Sequence, residues 1–176
     1  MKEEKAVFAG GCFWCVESTL EKVPGVIKVL SGYTGGAKPN PTYEEVSEGD
    51  SGHVEAIEIT YDPAKVSYDT LLDAFWREID PTDTGGQFAD RGAQYKTAVF
   101  YLNDLQKKTA EDSKQKLQGS GHFDTPIVTP ILPAMPFYPA EEHHQSYAKK
   151  NPSHYKMYRY GSGREPFLKR FWGDKK

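Results

Sequence analysis

Apolar residues recur along this 176-residue chain in two rhythms, every second position in some stretches and every third or fourth in others. The first rhythm marks half-buried strands and the second amphipathic helices. Ala6 to Gly10 is a short apolar run closed by Gly10 and Gly11, which predicts a buried strand. From Phe13 to about Val23 the spacing turns helical, so Cys12 falls where strand becomes helix. Pro24 and Gly25 interrupt, and Val26 to Tyr33 predicts a second strand, completing a βαβ unit. The stretch Thr34 to Gly52 is rich in Gly, Pro, Asn and Ser and reads as a long loop, with the aromatic Tyr43 arguing for an ordered one.

Val54 to Tyr61 alternates as a strand and stops at Asp62 and Pro63. Ser67 then caps a helix whose apolar positions, Leu71, Leu72, Phe75, Trp76 and Ile79, keep helical spacing. A polar loop containing Asp90 leads to a strand from Tyr95 to Leu102 and a polar helix from about Asp104 to Gln118. A further strand from Ile127 to Leu132 is confined to a sheet edge by Pro130. The first six elements run βαββαβ, the order of a ferredoxin-like α+β two-layer sandwich, here with an additional helix, an additional strand and long loops. A short helix is expected between Ala140 and Asn151.

Length and the lack of internal repeats point to one domain over residues 1–158, followed by a tail over 159–176. That tail holds six basic and two acidic residues, a net +4. It reads as a solvated basic tail whose Phe167, Leu168, Phe171 and Trp172 dock on the body. The competing reading, a nucleic-acid patch, has no recognition module to accompany it. Over the whole chain 22 basic residues face 25 acidic ones, which gives no general field for nucleic acid or a membrane surface. No apolar stretch approaches the ~18 residues needed to cross a bilayer, and none near the N-terminus is long enough for a signal peptide. The expectation is a cytoplasmic monomer with no nucleic-acid or membrane partner.

Two cysteines are too few for a disulfide scaffold or for a zinc site of three or four thiolates. In a compartment that keeps thiols reduced, a close pair is more often catalytic than structural. A thiol at the first turn of a helix meets unpaired N–H groups and the positive end of the helix dipole, which makes Cys12 a candidate nucleophile. Cys15 follows one turn later, near enough for the pair to cycle between dithiol and disulfide. Two inert buried cysteines remain the competing reading. Phe13 and Trp14 are unusually large for the interior of a disulfide-exchange motif and suggest walls for a small apolar group such as a methyl on sulfur, against ordinary helix packing. On the strand from Val54, alternation puts Glu55 on the face of Ile57, Ile59 and Tyr61. Burial there would raise its pKa and make it a general acid, unless it escapes into the loop or pairs with a base.

Seven blocks of residues, in order over about residues 5 to 155, resemble one family. They are Gly10-Gly11-Cys12-Phe13-Trp14-Cys15 with Glu17; Gly32-Tyr33-Thr34-Gly35-Gly36; Asn40-Pro41-Thr42-Tyr43; Gly52-His53-Val54-Glu55; Tyr61-Asp62-Pro63; Asp90-Arg91-Gly92-Ala93-Gln94-Tyr95; and Phe137-Tyr138-Pro139-Ala140-Glu141 with His144-Gln145. The resemblance is to the peptide-methionine (S)-S-oxide reductases, the A-type methionine sulfoxide reductases. It implies a ferredoxin-like fold and a catalytic domain over 1–158 that reduces the S epimer of methionine sulfoxide, free or in oxidised proteins, without a cofactor or metal.

By position, the resemblance makes Cys12 the nucleophile on the sulfoxide sulfur and Glu55 the acid that protonates its oxygen. Tyr43 and Tyr95 match hydroxyls that bind that oxygen, and Phe13 and Trp14 the walls around the ε-methyl. Asp90 matches a contact to the substrate backbone and His144 a pocket-side residue. Methionine leaves and Cys12 becomes a sulfenic acid. Many members carry glycine where Cys15 stands and resolving cysteines in the C-terminal tail, where this chain has none. The implied resolver is therefore Cys15, giving a Cys12–Cys15 disulfide for thioredoxin or a similar dithiol to reduce. Two rivals are a generic CxxC thiol-disulfide oxidoreductase and a module binding zinc through Cys12, Cys15 and two of the five histidines.

Overall fold

A computed structural model of the chain describes residues 2–173. Asp174, Lys175 and Lys176 of the expected tail lie outside the described residues. In chain order the elements are β1 (Glu4–Gly10), α1 (Phe13–Leu20), β2 (Val26–Thr34), α2 (Tyr43–Ser47), β3 (Val54–Tyr61), α3 (Tyr68–Trp76), β4 (Gly86–Gln87), β5 (Asp90–Arg91), β6 (Thr97–Tyr101), α4 (Asp104–Gly119), β7 (Ile131–Pro133), β8 (Tyr138–Pro139), α5 (Tyr147–Lys150), α6 (Pro152–Gly161) and α7 (Arg164–Trp172).

The main sheet has the order β7-β6-β1-β3-β2-β8. Its central four strands, β6-β1-β3-β2, are antiparallel at every step, as the two split βαβ units of a ferredoxin-like sandwich require. β1 takes a central position because its residues from Ala6 to Gly10 are all buried, which suits a strand covered on both faces. One face carries Phe8, Ile57 and Ile59, packed fully buried against Val16 and Leu20 of α1 and Leu71, Leu72 and Phe75 of α3. Each such side chain contributes about 1.5–3 kcal/mol on leaving water. The opposite face holds a smaller cluster of Val7, Ala9, Ala56, Ala98 and Phe100.

Several expected elements differ in extent. The stretch Thr34 to Gly52 is not loop throughout: Thr42 and Glu45 form a reciprocal capping box that starts α2 at Tyr43. Tyr95 belongs to a single 3-10 turn, Ala93–Tyr95, ahead of β6, because Gly92 at φ 132° breaks the extended run. The helix after Ser67 ends at Trp76, leaving Ile79 as a buried anchor beyond it. The strand expected from Ile127 begins only at Ile131, since Pro130 has no N–H for the ladder. In place of one helix near Ala140 there are a 3-10 turn, Glu142–His144, and α5, separated by Ser146 at φ 51°.

Residues 152–173 hold two helices, α6 and α7, joined through Ser162 and Gly163. The expected boundary at 158/159 falls inside α6. Phe167 and Phe171 of α7 pack on Phe88 and Phe123, with ring centroids 5.3 and 5.2 Å apart. Arg164 turns inward and is buried, and Arg159 is half-buried against Glu78, so this basic segment is not simply solvated. No helix among the described residues is long and apolar enough to cross a membrane.

Candidate active site

The β1–α1 turn sets the site. Gly11 adopts φ +79°, and a β-carbon there would stand 2.6 Å from the Gln87 β-carbon, so only glycine fits. The turn delivers Cys12 to the N-cap of α1, 5% exposed, with Cys15 one turn on and 0% exposed. The first free N–H of α1, that of Phe13, donates to Oε2 of Glu55 at 3.0 Å. Glu55 thus ends beside Cys12, brought there from β3, where alternation buries it with Ile57, Ile59 and Tyr61.

A cavity of about 100 Å³ is lined by Cys12, Phe13, Trp14, Tyr43, Glu55, Asp90, Tyr95 and Tyr158. A water's share of liquid is about 30 Å³, so the cavity holds a head group of three or four non-hydrogen atoms. Seven of its eight lining residues are those singled out from sequence. Tyr43 starts α2, where Oε1 of Glu141 accepts its N–H at 3.3 Å, and its hydroxyl takes a hydrogen bond from Tyr95. Trp14 is clamped by Tyr147, stacked at 3.8 Å and 8°, and by His144, whose Nδ1 accepts from the indole N–H at 3.2 Å. His144 does not line the cavity; it stands behind Phe13, Trp14 and Tyr43. Cys15 does not line it either and lies behind Cys12.

Tyr158, on α6, was not legible in the sequence. Its hydroxyl donates to Asp90 and is also hydrogen-bonded to Cys12, joining two ends of the cavity. No local pattern marks it, since its partners lie 68 and 146 positions away; being one of many tyrosines hid it further.

The charges are distributed otherwise than the helix dipole alone would give. Burial pushes the Cys12 thiol up, helped by the hydrogen-bonded Cys15 sulfur and by Glu55, although it is the cap residue. The Phe13 N–H, which could have served a thiolate, is taken by Glu55. Cys15 is lowered to about 7, first by the hydrogen bond from Cys12, then by the Arg164 guanidinium against the cost of burial. The two thiols titrate as a hydrogen-bonded pair in which Cys15 is the more acidic. Glu55 is raised to about 8 by burial, despite the Phe13 N–H, with Asp90 adding to the rise, and is therefore protonated at neutral pH.

One group with metal-ligating atoms within 4.8 Å exists among the described residues, Glu141, His143 and His144, and it contains neither cysteine. Because Nδ1 of His144 accepts from Trp14, its proton sits on Nε2, which must give up that proton or the indole bond to ligate. A larger apolar cavity of about 540 Å³, lined by residues such as Ala98, Phe100, Leu132 and Met135, lies across the sheet and contains none of these groups.

A helix-capping thiol with a second thiol behind it, facing a protonated carboxyl across a small aromatic cavity, defines an α+β thiol-dependent oxidoreductase. The family model for peptide methionine sulfoxide reductase matches residues 4–176. Peptide methionine sulfoxide reductase MsrA of Bacillus licheniformis is 59% identical over 174 residues, 99% of this chain and 96% of that one. Reduced Mxr1 of Saccharomyces cerevisiae superimposes with a TM-score of 0.81 at 31% identity, covering 86% of this chain and 87% of that one. Mxr1 in complex with Trx2 gives 0.59 at 25% identity, covering 84% and 86%. The chain belongs to the peptide methionine sulfoxide reductases, oxidoreductases that act on the sulfoxide of methionine.

Proposed function

We propose that this enzyme reduces the S epimer of methionine sulfoxide, free or in oxidised proteins, with Cys12 as nucleophile and Glu55 as acid. The observation that carries the reading is the convergence of Cys12 and protonated Glu55, with the Tyr43 and Tyr95 hydroxyls, on one head-group-sized cavity. The sulfoxide oxygen sits between Glu55 and the two tyrosines, and the ε-methyl lies against Phe13 and Trp14. Asp90, oriented by Tyr158, takes the substrate backbone, and His144 fixes the indole.

The Cys12 proton passes along its hydrogen bond to Cys15, and the Cys12 thiolate attacks the sulfoxide sulfur as Glu55 protonates the oxygen. In the adduct the hydroxyl passes from the methionine sulfur to the Cys12 sulfur: the methionine S–O bond and the new S–S bond break, a Cys12 S–O bond forms, and methionine leaves with Cys12 as the sulfenic acid. Cys15 then attacks the Cys12 sulfur, an S–S bond forms and water departs. Yeast Mxr1, a relative, has been solved with Trx2, which supports a thioredoxin-type dithiol as reductant here. Because Cys15 is fully buried, that reductant attacks Cys12. All the groups come from one chain, which supports a monomer, and a reduced thiol pair suits the cytoplasm.

The test is epimer-resolved turnover by reduced protein. One equivalent of methionine per chain from the S epimer and none from the R epimer is expected; equal consumption of both would sink the reading. Loss of two hydrogens within the peptide holding both cysteines is the expected mass change. A sulfenic acid that persists in wild-type protein would remove Cys15 as resolver.

A further inference from the structure

Arg164 opens α7, 154 positions from the β1–α1 turn, and is 1% exposed. Its two hydrogen bonds go to backbone carbonyls, Gly10 at 3.1 Å and Glu78 at 2.6 Å, while Oε1 of Glu78 stands at 3.8 Å. That carboxylate is already held by Arg159, whose Nη2 donates to Oε2 at 3.2 Å, and by the Thr19 hydroxyl at 2.9 Å. Arg159 is further paired to Glu165 at 2.7 Å. The guanidinium of Arg164 is fixed in place: Nη2 lies 3.1 Å from where a Gly11 β-carbon would stand, and Cζ sits 4.7 Å over the Phe88 ring.

A buried cation demands an answering anion. Burial works against the Arg164 charge, and the Cys15 sulfur, the Glu78 carboxylate and the Cys12 sulfur together hold it. The Arg164 head group thus sits beneath the motif that carries both thiols, on the side away from the substrate cavity.

We propose that Arg164 is a positioning residue for the second half of the catalytic cycle: its buried guanidinium, fixed under the Gly10–Gly11 turn, holds Cys15 as the thiolate that resolves the Cys12 sulfenic acid and that departs when an external dithiol attacks Cys12. The inference rests on the roles given to Cys12 and Cys15 above. In resolution the Cys15–Cys12 S–S bond forms, the Cys12 S–O bond breaks, and the oxygen leaves as water. In reduction a thiolate of the dithiol bonds to Cys12, the S–S bond breaks with its electron pair going to Cys15, and the second thiol of the dithiol then releases Cys12. Charge beside Cys15 favours both steps and directs the incoming thiol to the other sulfur.

A ceiling on the effect follows from the Cys15 value of about 7 against the ordinary 9.0, a depression to which the Cys12 hydrogen bond contributes first and Arg164 only in part. Full loss of the depression cuts its thiolate fraction at pH 7 about 50-fold, while the more basic thiolate is about eightfold more nucleophilic, a net slowing of about sixfold at most. The experiment is a quenched single turnover of reduced full-length protein with the S epimer, reading methionine released and thiols remaining. In wild type and Arg164→Lys, thiol loss keeps pace with methionine release. In Arg164→Gln, methionine still forms with loss of one thiol, loss of the second thiol lags by up to about sixfold at pH 7, dimedone traps the sulfenic acid, and the lag closes as pH approaches 9. Wild-type kinetics in Arg164→Gln, a lag independent of pH, or a Lys variant that behaves like Gln overturns the proposal. Should Arg164→Gln fail to fold, the Cys15 thiolate is titrated by its ultraviolet absorbance in Cys12→Ala, where the Cys12 hydrogen bond is gone. A midpoint clearly below 8.5 supports the role of Arg164 and an ordinary midpoint overturns it. Failure of wild type to release methionine at all would instead defeat the active-site reading.

Discussion

Glu55→Gln removes one ionisable proton and little else, because glutamine keeps an oxygen for the Phe13 N–H that Glu55 accepts at 3.0 Å. With Glu55 at about 8, the carboxyl is roughly nine-tenths protonated at pH 7 and one-tenth at pH 9. Single-turnover sulfoxide reduction should therefore rise as the thiol pair ionises near 7 and fall about fivefold from pH 7 to pH 9, a tenfold loss of protonated Glu55 offset about twofold by the rising thiolate. The variant should lose 10²–10⁴ in rate, a typical general-acid contribution, and lose the alkaline fall with it. The same displacement acts on stability. The folded-state value is raised, so the native form holds this proton better than the unfolded chain, and stability drains as pH climbs from 4.5 towards 8. At 1.36 kcal/mol per pH unit, ionising Glu55 in place costs about 2 kcal/mol by pH 6 and about 5 kcal/mol beyond pH 8. Urea melts should then show Glu55→Gln gaining about 2–3 kcal/mol on wild type between pH 6 and pH 9. A variant within a few-fold of wild-type rate, or parallel stability curves for the two proteins, would refute the placement of a protonated carboxyl beside Cys12.

Gly11→Ala sets a β-carbon 2.6 Å from Gln87 at φ +79°, and should cost about 2–3 kcal/mol, seen as a melting point lower by about 5–10 °C; an unchanged melting point would show that the turn can relax. Tyr158→Phe deletes the donor shared by Asp90 and Cys12, and should slow single-turnover reduction about tenfold or more with little change in melting point. A wild-type rate there would reduce Tyr158 to packing. Tyr147→Ala removes the face of Trp14's clamp, a loss of about 0.5–1.5 kcal/mol, and should raise KM several-fold while kcat moves less. An effect confined to kcat would place Trp14 outside substrate binding.

What could be read from the sequence was local. Alternation along Val54 to Tyr61 placed Glu55 inward, Gly10-Gly11 marked the turn before Cys12, and the Ser67 cap located α3. The Thr42–Glu45 capping box was equally local, but the surrounding Gly and Pro masked it. What escaped depends on partners far along the chain. Tyr158 and Arg164 acquire meaning only from Asp90, Cys12, Glu78 and Gly10, and no periodicity encodes such pairings. The ionisation of the thiol pair was hidden for the same reason, since it depends on burial, on the Cys12–Cys15 hydrogen bond and on the distant Arg164.

The bond from Arg164 to the Gly10 carbonyl bears on how the protein is born. During synthesis Cys12 and Cys15 emerge early, whereas the guanidinium that closes over them follows 149 residues after Cys15. At about 5–20 residues per second that is an interval of roughly 7–30 seconds in which the nascent pair has neither its counter-charge nor its cover. The long closure makes a slow final docking of α6 and α7 the expected last event in refolding.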